Sequence, residues 1–148
     1  MDKYVEALNG FMDVLGTMNM DSNRISDYTI IKLSDDHNLM RSINTYHQSL
    51  TDKYPPECWH PKLDIVQYET VNNIASRWFF EEREIQILPQ KIQNNVLAAF
   101  HDRIIECMGN FEVYKLDIAP PIWYASTWDE FIFDSQHGRY LLHFSCYD

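Results

Sequence analysis

The stretch from Phe111 to Asp148, FEVYKLDIAPPIWYASTWDEFIFDSQHGRYLLHFSCYD, constrains the fold more than any other part of the chain. It divides into three β-rich runs, Phe111 to Ile118, Ile122 to Asp134 and Arg139 to Tyr147. Ser135-Gln136-His137-Gly138 supplies a tight hairpin turn between the last two. Strand alternation then sorts the side chains. Trp128, Glu130, Ile132 and Asp134 fall on one face, and Asp129, Phe131 and Phe133 on the other. In the final run Tyr140, Leu142, Phe144 and Cys146 oppose Arg139, Leu141, His143 and Ser145. Phe131 and Phe133 are expected to face the core. Trp128, Glu130 and Asp134 are expected to face outward or to line a groove.

The rest of the chain supplies covers for such a sheet. Apolar residues at helical spacing (Tyr4, Leu8, Phe11, Leu15, Met18) predict an amphipathic helix over 2–18. Tyr28 to Leu33 reads as a short edge strand. A second helix is predicted near 36–52, with Leu39, Met40, Ile43, Tyr46, His47 and Leu50 on one side; Pro55-Pro56 ends it. KLDIVQYETV reads as a strand, Asn72-Asn73 as a turn and IASRWFFEEREIQIL as the return strand of a long hairpin. A helix over 70–80 is the competing reading. Ile92, Val96, Phe100, Ile104 and Met108 recur at steps of four between Pro89 and Gly109, which predicts a third helix over 89–108. The expectation is one α+β domain over 1–148, with three helices packed on a mostly antiparallel sheet. At 148 residues the chain is long enough to bury a sizeable core.

Charge narrows the partners. The net charge of −10 opposes direct contact with nucleic acid or with an anionic membrane surface, and complements a basic protein. The three cysteines, Cys58, Cys107 and Cys146, show no motif spacing, and the opening residues lack the features of a signal peptide; both point to a reducing, cytoplasmic setting.

Chemistry-bearing motifs are scarce. No GxGxxG, P-loop, GxSxG or HExxH occurs, and four glycines leave little material for Gly-dependent sites. Cys58-Trp59-His60 in a Pro-bounded segment is the most suggestive metal or catalytic group, with His101, His143 or Cys146 as further ligands. Its spacing matches no zinc pattern, and neither metal nor cofactor is expected. Cys58 or Cys107 with His101 forms a conceivable Cys/His pair, although Cys107 and His101 point to different sides of one helix. Glu81, Glu82 and Glu84 read as a solvated face. Trp123, Tyr124, Trp128, Asp129, Glu130 and Asp134 are the candidate binding residues, because aromatics supply contact area and carboxylates pair with Arg or Lys.

The ending WDEFIFDSQHGRYLLHFSCYD resembles the C-terminal hairpins of small bacterial immunity proteins, which protect against polymorphic toxins, including those of contact-dependent growth inhibition. The resemblance covers the last third of the chain and transfers no site residue. It implies a binding protein that blocks a basic toxin domain. The alternatives are an adaptor or structural interaction domain of a mobile element, and a small Cys/His metal-dependent hydrolase at Cys58 and His60.

Overall fold

The structure, a computed structural model, describes residues 2–21, 23–81 and 88–147. Among these residues five strands form one antiparallel sheet: β1 (Ile25–Lys32), β2 (Lys62–Val66), β3 (Phe111–Asp117), β4 (Thr127–Ser135) and β5 (Gly138–Tyr147). Their spatial order is β1-β5-β4-β3-β2. The β4–β5 hairpin expected from the sequence forms, with Ser135 opposite Gly138 and Phe131 opposite Leu142.

Among the described residues four α-helices accompany the sheet, one more than expected: α1 (Lys3–Met18), α2 (Leu39–Leu50), α3 (Tyr68–Ser76) and α4 (Gln90–Met108). The Asp2 carboxylate caps α1 by accepting from the Tyr4 and Val5 amides. Asn38 caps α2, with its side chain accepting from the Arg41 amide at 2.9 Å. Gly109 ends α4 at φ 68, a left-handed conformation that favours glycine; a Cβ there would also press the mobile end of the Gln136 side chain, 2.7 Å away.

The additional helix replaces the expected long hairpin. Among its described residues only Lys62–Val66 forms a strand; Tyr68 to Ser76, including Asn72-Asn73, is α3, which runs on through a π-helical turn over Arg77–Glu81. Helical spacing wins because Val71, Ala75, Trp78 and Phe79 all reach one buried cluster. Widening to a π turn frees carbonyls, and these find partners. The Trp78 carbonyl accepts from Tyr28 Oη at 2.7 Å and from Asn19 Nδ2 at 3.0 Å, and the Phe79 carbonyl accepts from Asn19 Nδ2 at 3.2 Å. Glu81 is exposed at the end of this turn. Glu82 and Glu84, and most of the second half of the expected return strand, lie outside the described residues.

Both faces of the sheet are covered. On one, Phe131, Phe133, Leu142 and Phe144 join Leu8 and Met12 of α1, Val71 of α3 and Phe100 of α4. On the other, Ile132 and Leu141 pack with Ile43 of α2, Leu33 and Leu116. The chain crossing this second face also includes a 3-10 turn, Pro56–Trp59, and an irregular segment, residues 118–126. β5 is accordingly buried without a break from Tyr140 to Cys146.

The edge strand β1 is tied down by one side chain. Asn9 of α1 accepts from the Ile30 amide at 2.7 Å and donates to the Ile30 carbonyl at 3.0 Å. A single amide thereby satisfies a backbone pair that an edge strand leaves open.

Candidate functional site

The face covered by α2 carries a row of polar groups that strand register sets side by side. Asp27 of β1 stands opposite Ser145 of β5, Thr29 opposite His143, and His143 opposite Glu130 of β4. Glu130 is 0% exposed and His143 is buried. Tyr124, from the irregular segment before β4, donates its hydroxyl to Glu130 Oε2 at 2.6 Å. His143 Nδ1 lies 2.9 Å from the same oxygen. With the ring proton on Nδ1, the imidazole donates to that oxygen. In the neutral ring Nε2 is then the acceptor, and it stands 2.8 Å from Ser145 Oγ. Among the described residues, Glu130 Oε1 meets no hydrogen-bond partner.

Rings hold this network in place. Tyr124 meets Trp59, Trp128 and His143 edge-on, at centroid distances of 5.7, 5.3 and 5.6 Å. Beneath, His47 of α2 stacks on Trp59 at 4.3 Å. Burial, followed by the Glu130 charge and hydrogen bond, pushes the Tyr124 phenol far up. Burial, then Glu130 and Asp27, pushes Tyr46 up to about 12. Burial lowers His47.

Above the network lies a cavity of about 290 Å³, lined in part by Asp27, Tyr46, Trp123, Tyr124, His143 and Tyr147. Trp123 forms an open wall and is 74% exposed.

Of the six binding residues expected from the sequence, four gather on this side. Trp123 is exposed, Tyr124 and Trp128 are half-buried, and Glu130 is buried. The outward-facing Glu130 is thus corrected: strand parity is as expected, but α2 and residues 118–126 cover the face it points to. Asp129 sits on the opposite face, where Trp78 Nε1 donates to it at 2.9 Å and Lys115 approaches to 3.5 Å. Asp134 pairs with Arg139 at 3.4 Å near the hairpin turn. The acidic-aromatic strand is therefore largely committed to internal partners and is not a continuous exposed acidic face. Asp27, Tyr46, His143, Ser145 and Tyr147 were not anticipated at the site. One signal for them was available: polar His143 and Ser145 alternate within the otherwise apolar run YLLHFSCY.

Ser145, His143 and Glu130 have the connectivity of a hydrolytic triad. Ser145 is 0% exposed, however, so its hydroxyl is out of reach of a substrate carbonyl, and the three groups serve as a buried polar network. The Cys58-Trp59-His60 segment is organised by its central residue: Trp59 is 0% exposed, while His60 is exposed with φ 49. Cys146 packs with the helix-side cluster, on the sheet face opposite His143. Among the described residues, no group of three or more His, Cys, Asp or Glu is placed to hold a metal ion.

The fold belongs to a class, a five-stranded antiparallel sheet with helices on both faces, that has solved counterparts. Crystal structures of citrus MAF1 in two crystal forms superpose on this chain with TM-scores of 0.59 and 0.61, at 13% and 12% identity, each covering 97% of this chain and 98% of the other. No family model matches the chain. No curated protein matches it. The expected toxin-neutralising function is overturned: the structural likeness is to MAF1 along the whole chain, and nothing ties the chain to immunity proteins, nor does any match support the mobile-element adaptor or the Cys/His hydrolase. The hairpin that suggested immunity proteins is a local motif whose carboxylates turn inward or pair within the fold. No described helix is long and apolar enough to cross a membrane.

Proposed function

We propose that this chain fills a MAF1-type role and performs it by docking a protein partner rather than by catalysis. The observation that carries this reading is the extent of the likeness, 97% of this chain and 98% of citrus MAF1. A match limited to one hairpin or one helix pair would reflect common packing geometry, whereas order and spacing of elements along the whole chain are harder to reach by chance. The net charge of −10 favours a protein surface over nucleic acid as the thing docked. Free thiols at Cys58, Cys107 and Cys146 suit a reducing compartment, and the cytoplasm is the setting we assign.

The test is replacement. The chain is expressed in cells whose own MAF1 gene has been deleted, and the deletion phenotype is scored. Restoration is expected. Failure to restore, with folded chain confirmed in the same cells, counts against the MAF1-type role.

A further inference from the structure

We propose that the cavity under Trp123 binds the guanidinium of an arginine side chain presented by a protein partner. This deepens the docking role and rests on it.

Three independent features of the cavity converge on that ligand. First, its walls are aromatic: Tyr46, Trp123, Tyr124 and Tyr147 all line it. Trp123 leaves most of its surface to solvent, which is costly for an indole unless something covers it. A planar cation is the natural cover, because guanidinium stacks on an indole face and is weakly hydrated. Second, the site is negative. Asp27 stands exposed at its rim, Glu130 lies buried beneath its Tyr124 and His143 walls, and no Lys or Arg is among the described residues lining it. Two cations of the sheet are committed elsewhere: Lys115 to Asp129 and Asp117, and Arg139 to Asp134. Third, the carboxyl group behind the Tyr124 and His143 walls is incompletely matched. Glu130 is 0% exposed, yet only Oε2 is bonded, by Tyr124 and His143. Oε1 has no partner among the described residues. A buried carboxylate with one idle oxygen is unfavourable unless further positive charge comes near.

Geometry separates arginine from lysine. Four aromatic side chains line the cavity, and Asp27 offers a carboxylate there for the paired N–H groups of a guanidinium. An ammonium would satisfy the charge but not the stacking.

The experiment uses the whole chain and the probe peptide Gly-Gly-Arg-Gly-Gly, titrated to millimolar concentration and followed by NMR at the tryptophan indole N–H groups. Saturable shifts at Trp123 are expected. The neutral citrulline peptide, Trp123→Ala and Asp27→Asn are each expected to weaken binding, the first two by at least about tenfold. Both substituted residues are exposed, so the variants keep the fold, as a circular dichroism spectrum verifies. Equal binding of the citrulline or lysine peptide, unchanged affinity in Trp123→Ala, or absence of saturable shifts each overturns the arginine site. Loss of the peptide site with MAF1 replacement intact sinks this inference alone; failed replacement with peptide binding intact sinks the MAF1-type role alone.

Discussion

Glu130 and His143 face each other across β4 and β5, with Nδ1 2.9 Å from Oε2 and both residues buried. Removing the carboxylate strands two donors, the Tyr124 hydroxyl and the His143 N–H. Glu130→Ala is therefore expected to cost about 2–6 kcal/mol, about 1–3 kcal/mol for each buried donor left without its acceptor. Asp134 sits on the same strand at the same parity, but its pair with Arg139 is partly exposed and involves a carboxylate 41% accessible. Asp134→Ala is expected to cost no more than about 1 kcal/mol. Urea denaturation of both variants checks the contrast. Similar losses in the two would mean that Glu130 is not buried as described.

His47 supplies a pH dependence. Burial lowers its pKa from the ordinary value of 6.5, so the folded protein keeps the ring neutral where the unfolded chain begins to protonate it. The unfolded state then binds more protons, and stability falls as pH falls. His47's share of stability is present in full above 6.5 and is lost as pH drops through the lowered folded value. His47→Phe keeps a ring on Trp59 and removes the titration. Urea midpoints measured across pH 5–8 are expected to fall less steeply at the acid end in that variant. Parallel curves for the two proteins would refute the assignment.

The Asn9 side chain holds β1 through both polar groups of Ile30. Asn9→Ala is expected to cost about 1–3 kcal/mol, because those groups are left without their partner. The sharper readout is local: amide exchange at Ile30 should accelerate more than exchange at Leu142, on the neighbouring central strand. Uniform acceleration would indicate that the amide merely adds global stability.

Much of this architecture was legible. Steps of four from Ile92 to Met108 marked α4, and Ser135 to Gly138 marked the closing hairpin, since both signals are local. Parity also separated Phe131 and Phe133 from Glu130 correctly. What parity does not carry is whether a face is covered, because cover comes from residues far along the chain. Glu130 is buried by Tyr124 and by α2, and nothing within WDEFIFD states that. The α3 region failed for a related reason. Val71, Ala75 and Trp78 sit at helical spacing, yet KLDIVQYETV and SRWFFEE are equally rich in strand formers, and the helix-side cluster decided between them.

The pairing of β1 with β5 has a kinetic consequence. Ile25 lies opposite Tyr147 and Lys32 opposite Tyr140, so β1 finds its strand partner almost a whole chain length away. On the ribosome, α1 and β1 emerge early but cannot dock onto a sheet until β5 has been made. Until then Leu8, Met12, Tyr28 and Ile30 present apolar surface to whatever is nearby. Such long-range closure slows folding, and it leaves the α1–β1 segment without its sheet until β5 arrives.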